Sequence, residues 1–242
     1  MFQQLDATQI VNTCATLQRR VEERFEGSGL SRVARELRQV ADEAAKLSAW
    51  LDRPIWWVRV AVVSGILLLL AVVAFTLGQM RVGDIGTLSE LIPFLEALVN
   101  DIVFIAIGVY FLAGVEVRIK RKRAQQALHV LRSLAHIVDM HQLTKDPEKF
   151  VHRGPPTASS PVRTMTAFEL TRYLDYCSEI LSILSKVAAV YVQHFEDAVT
   201  VAAAADVEDL TGGLTQKIWQ KIMILDRFVT ETRASEAPVS SV

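Results

Sequence analysis

Two long stretches almost free of charge stand among a series of one-sided ones. From Val60 to Met80 the chain reads VAVVSGILLLLAVVAFTLGQM, 21 residues without a charge. A helix needs about 20 such residues to cross a bilayer core. From Ala97 to Val115 it reads ALVNDIVFIAIGVYFLAGV, with Asp101 as its one charge. That stretch would make a helix of about 28 Å, just enough to span.

Elsewhere apolar residues recur three or four apart, the signature of a helix with one covered face. Ile10, Cys14, Leu17, Val21 and Phe25 form a first seam. After Gly27-Ser28-Gly29, a second is formed by Val33, Leu37, Val40, Ala44, Leu47 and Leu51. Their heptad spacing predicts an antiparallel hairpin about 30 Å long. Pro54 marks a kink or a new helix start, with Asp52 as the expected cap. Leu128, Leu131, Ala135 and Val138 repeat the seam beyond the second apolar stretch. The most regular seam is Leu170, Leu174, Cys177, Leu181, Leu184, Ala188 and Tyr191, after a capping box at Thr166–Glu169. A last helix carries Leu210, Leu214, Ile218, Leu225 and Phe228, and Gly212-Gly213 is expected to interrupt it with a kink or a close packing point. Three heptads at 170–191 suit a coiled coil between subunits or one edge of a bundle. The several neighbouring amphipathic helices favour the bundle.

The expected fold is all-α: a two-span transmembrane helical hairpin with a cytoplasmic amphipathic helical bundle. Residues 1–53 form an N-terminal cytoplasmic hairpin and 54–80 the first transmembrane helix. Residues 81–96 form a short extracytoplasmic connection. Within it Thr87–Glu90 has capping-box spacing, and Leu88, Leu91, Ile92 and Leu95 predict an interfacial turn interrupted by Pro93, in preference to a re-entrant segment. The second transmembrane helix is 97–117, followed by a basic juxtamembrane and cytoplasmic helix at 118–146. Four of the seven prolines fall between Pro147 and Pro161, so 147–165 reads as a linker. Residues 166–233 form the C-terminal cytoplasmic helices and 234–242 a disordered tail.

Composition changes this picture little. Half of the 242 residues are apolar and 22% are charged, which fits apolar residues concentrated in two spans. A net charge of −1 gives no nucleic-acid footprint. Cys14 and Cys177 form no CxxC and suit a reducing compartment, most simply as buried apolar residues. About fifty amphipathic residues precede the first span, so it does not read as a cleaved signal peptide.

The distribution of charge matters more. Arg53 and Arg59 precede the first span, where Trp56 and Trp57 are expected at the interface. Arg118, Lys120, Arg121, Lys122 and Arg123 follow the second. The connecting segment sets Arg81 against Asp84, Glu90 and Glu96. The positive-inside rule therefore puts both termini in the cytoplasm, and a bacterial inner membrane fits. The five cations are expected to bind anionic headgroups rather than nucleic acid.

Candidate chemistry is sparse. Asp101 reads either as an acid near the interface reached by water, the favoured reading, or as an intramembrane carboxylate facing a pore or partner helix. With Glu96 and Asn100 it would line a conduit. Four of the five histidines fall between His129 and His152. His129 and His136 share a helical face opposite the seam but lie about 10 Å apart along the axis, too far to share one ion. His136 and Asp139 could share an ion with ligands from elsewhere; a solvated polar face is favoured. No catalytic constellation, cofactor motif or strand pattern appears. The expectation is a membrane-anchored structural or interaction protein, a homo-oligomer presenting a helical bundle, with no cofactor. The alternatives are an oligomeric ion channel or ion-coupled device, and a metal enzyme using His136 and Asp139.

Overall fold

The structure is a computed structural model that describes residues 4–79, 88–147, 158 and 165–236. Among them are seven helices and no strand: α1 (Ala7–Arg24), α2 (Gly29–Asp52), α3 (Trp56–Gln79), α4 (Leu88–Ala113), α5 (Val115–Leu143), α6 (Ala167–Val192) and α7 (Ala198–Glu236). The connection at 80–87, most of the linker and the tail from 237 on lie outside the described residues. The chain divides into two compact units, Met1–Asp52 with Ala124–Val242, and Arg53–Arg123.

In the first unit, α1 starts where Asp6 accepts the backbone N–H of Thr8 at 2.8 Å and of Gln9 at 3.3 Å. It ends at Phe25, and Gly27 takes φ 65°, a left-handed turn that glycine adopts without a Cβ clash. The chain then reverses. Arg35 reaches back to Glu22 and Arg38 to Gln18, the register of an antiparallel pair. Cys14, Leu17 and Val21 face Val33, Leu37, Val40 and Ala44 in one apolar core.

Helix α6 lies at the centre of that core. Its cap is the expected box, with Thr166 and Glu169 each accepting from the other's backbone. Thirteen of its 26 residues are buried. At 100° per residue they cover an arc of about 200°, too wide for the edge of a two-helix seam. Ser48 of α2 donates to the Val190 carbonyl at 3.0 Å, and Arg20 of α1 holds Glu179 through two nitrogens. From α5, Ala124, Leu128, Leu131, Ala135 and Val138 join the same core.

The seam of α7 differs from the expected one. Thr200, Ala204, Val207, Thr211, Leu214, Ile218 and Leu225 are buried, whereas Leu210 is only partly so. Thr211 fits because its hydroxyl donates to the Val207 carbonyl. Asp197 accepts from Thr200 at both nitrogen and hydroxyl and starts the helix. The expected interruption is absent: α7 runs through Gly212-Gly213. Nothing lies within 4 Å of a Cβ added at either glycine, so neither serves close packing. Gly212→Ala and Gly213→Ala should each stabilise this unit by about 0.5–1 kcal/mol, read as a rise in thermal midpoint.

In the second unit, α3 and α4 form an antiparallel pair. A Cβ added at Gly65 would touch Leu112, and one at Gly108 would touch Leu69, which fixes the register. Val62, Gly65, Ile66, Leu69 and Val73 of α3 are partly covered, as are Asp101, Ile105, Gly108, Val109 and Leu112 of α4. From Val60 onwards no described residue of α3 is buried, and none of α4 is. Both helices are long and apolar enough to cross a membrane. A soluble core helix of that composition would be buried; here Leu68, Phe75, Phe104 and Tyr110 are exposed. Helix α4 starts at Leu88 and passes Pro93 without ending, so the turn expected to lie apart from the second span belongs to the same helix. Thr87 of the expected cap lies outside the described residues.

Candidate functional site

The most concentrated charge in the second unit gathers on Glu116, in the first turn of α5. One carboxylate oxygen accepts the backbone N–H of Ile55 at 3.2 Å and the Lys120 ammonium at 3.1 Å. The other accepts Arg59 Nε at 2.8 Å. Pro54 ends α2 and lets the chain restart at Trp56. Asp52 was the sequence's cap for that restart, but α3 begins four residues later. The acid at its start is Glu116, which comes from a different helix. An anion here meets the free N–H groups of the α3 start and the first turn of α5.

This arrangement reassigns one of the five expected headgroup cations. Lys120 is 7% exposed and turned to Glu116, so its charge is already partnered. The reason is helical spacing: residues four apart meet on one face, and the Glu116 side faces inward. Arg118 folds back to donate to the Phe111 carbonyl, with its guanidinium 5.5 Å from the Phe111 ring centre. Its path requires Gly114, where a Cβ would meet Arg118 Nη1. Arg121 and Arg123 also have partners, and Lys122 is exposed.

Asp101 lies two turns from Gly108 on the partly covered face of α4 towards α3. Asn100 and Glu96 are exposed. The three therefore lie within two turns near the middle of α4 without sharing one face.

The first unit holds a second polar cluster, around the last turn of α5. Gln142 is 2% exposed. Its amide nitrogen donates to Asp139 at 2.6 Å. Lys221 of α7 donates to the Gln142 side-chain oxygen at 2.5 Å and to its carbonyl at 2.9 Å. A cavity of about 300 Å³ lies alongside, lined by Asp139, Gln142, Asp146, Lys217, Gln220 and Lys221, with apolar neighbours. Burial pulls the Lys221 pKa down, against the opposing charges of Asp146 and Asp139. Lys145 sits 5.4 Å from the Tyr173 ring centre. Burial pushes the Cys177 thiol up to about 12, despite Lys221 and Lys145, which makes it a poor nucleophile. Cys14 is likewise pushed up, to about 11, by burial and Asp42.

The histidines do not converge. His129 and His136 are exposed, and Asp139 pairs with Gln142 rather than with His136. His152 lies outside the described residues. Among the described residues no three His, Cys, Asp or Glu side chains come close enough to hold a metal ion. His141 packs over Gly29, where a Cβ would meet its ring. Burial, then the charges of Arg32 and Lys145, lower its pKa below the ordinary value of 6.5. As pH falls through that value, the unfolded chain takes up a proton that the folded chain resists. The stabilising contribution is thus complete above about 6.5 and is lost as pH falls towards the lower folded value. His141→Gln should flatten the stability profile in that window, measured by denaturant midpoints across it.

Sequence reasoning missed Gln142, Lys145 and Lys221 as a group. Only the i, i+3 spacing of Asp139 and Gln142 was visible; Lys221 is 79 residues away. No protein-family model matches the chain, and no curated protein or solved structure matches it.

Proposed function

We propose that this chain is an integral membrane protein of structural or interaction type, a homo-oligomer that presents a cytoplasmic helical bundle at the bilayer surface. One observation carries the reading. The apolar surfaces of α3 and α4 are left uncovered, while the other unit closes a complete core from its own helices. In water that uncovered surface would be a severe aggregation liability; in lipid it is what a span requires. The two helices pack against each other, and their exposed faces are open to lipid or to further copies of the chain. The flanking cations favour both termini in the cytoplasm and a bacterial inner membrane. Among the described residues no three His, Cys, Asp or Glu side chains could hold a metal ion, and burial raises the pKa of both cysteines, so neither observation supports an enzyme.

A second reading, an oligomeric ion channel or ion-coupled device, is favoured by the position of Asp101. It sits on the interhelical face rather than at the helix end, and such carboxylates are costly unless water or a partner reaches them. Asn100 and Glu96 lie within two turns of it.

Native mass spectrometry of the protein in nanodiscs tests the main reading. A single oligomer of defined stoichiometry is expected, and a strict monomer would overturn the homo-oligomer. Liposome flux separates the two readings. The structural reading expects no flux from the wild-type protein, whereas flux abolished by Asp101→Asn would favour the channel.

A further inference from the structure

The Glu116 cluster leaves one cation unlike the others. Arg59 is fixed through Nε, and among the described residues its guanidinium makes no other hydrogen bond. Its side chain is 53% exposed. A guanidinium held by Nε keeps its two terminal nitrogens as a preorganised fork, the geometry that matches a phosphate with two parallel hydrogen bonds. Trp56 and Trp57, three and two residues before it, are both largely exposed, as aromatics at a headgroup level are. The neighbouring cations differ. Lys120 is turned to Glu116, Arg118 is folded onto Phe111, and Lys122 is an exposed charge. Arg59, Lys120 and Glu116 together still carry one net positive charge.

We propose that Arg59 is a phosphate-binding site for an anionic lipid headgroup, with Glu116 as the residue that positions it. The inference rests on the membrane reading above and adds a specific lipid contact at one residue. It differs from attraction between a basic run and a charged surface, because it depends on geometry and therefore on an acid.

That dependence gives the test its direction. Glu116→Gln removes a negative charge, so surface attraction alone would raise the retention of anionic lipid. Loss of positioning lowers it. The full chain would be embedded in phosphatidylcholine containing a minority of phosphatidylglycerol, then moved into detergent. Retained lipids would be counted by native mass spectrometry. Wild type should retain phosphatidylglycerol selectively, and Arg59→Gln and Glu116→Gln should each lower that retention about tenfold, the factor expected for losing a charge-assisted contact. Arg59→Lys keeps the charge but not the fork; it should lose retention with an unchanged thermal midpoint, which guards against simple unfolding of Glu116→Gln. Retention that rises or holds in Glu116→Gln, or a loss in Lys122→Gln as large as in Arg59→Gln, overturns the proposal. Equal displacement by millimolar inorganic phosphate would also overturn it, by assigning the site to a free anion. Failure of the membrane reading is seen separately, as wild-type protein that washes out of carbonate-treated membranes.

Discussion

Leu181→Ala should lower the stability of the helical unit by about 3–5 kcal/mol, the largest effect expected from a single conservative substitution in this chain. Leu181 is fully buried in the middle of α6. That helix is covered over more than half of its circumference, so the vacated volume cannot be refilled by the collapse of one flexible neighbour. The lost transfer energy and the residual cavity therefore add. For a unit of this size each kcal/mol is worth roughly 2–4 °C, so the thermal midpoint should fall by about 6–20 °C. Circular dichroism of the full chain in nanodiscs would measure it. Gln216→Ala, on the exposed face of α7, is the control and should move the midpoint hardly at all. A Leu181→Ala shift as small as that control would mean that α6 is not the centre of the core.

Lys221→Met should cost about 1–3 kcal/mol, and the reason is what it leaves behind. The Gln142 side-chain oxygen loses its donor and is too buried for water to replace it freely, whereas the Gln142 carbonyl keeps the Lys145 backbone N–H. Gln142→Leu alone does the reverse, stripping a partly desolvated ammonium of its side-chain acceptor and leaving it the backbone carbonyl of residue 142. The double variant removes both side-chain partners and should recover part of the loss, because neither polar side chain then faces a missing partner. A double-mutant cycle should thus give a coupling of about 1–3 kcal/mol. Simple additivity would mean that the contact contributes nothing of its own.

The parts of the fold that were legible in the sequence share one property: apolar side chains carry the pattern. Cys14, Leu17 and Val21, or Leu170, Leu174 and Leu181, fall at helical spacing and are large enough to stand out. Helix α7 was read less well because its seam uses Thr200, Ala204 and Thr211. A threonine can be buried when its hydroxyl turns back to its own helix, and composition does not reveal that it does. Gly212-Gly213 was overread for a related reason. Glycine weakens a helix by about 1 kcal/mol, and the surrounding contacts of α7 outweigh that.

The candidate sites were legible only as ingredients. The basic run after the second apolar stretch was visible, but not that Lys120 would turn to Glu116. Asp139 was visible, but as a partner for His136 and not for Gln142. Periodicity assigns a residue to a face of its own helix; it does not say which helix lies opposite.

The sequence by itself determined the all-helical architecture, the two apolar helices and most of the bundle seams, because those follow from local spacing and from the cost of exposing apolar surface. Only the tertiary structure decided that α6 is central, that Glu116 stands at the start of α3, and that Lys221 closes on Gln142. The contacts of Glu116 and Lys221 join residues 57 to 79 positions apart, and those of α6 with α1 and α2 join residues 142 to 159 apart. They depend on charge and hydrogen-bond geometry between elements, for which a single chain carries no periodic signal.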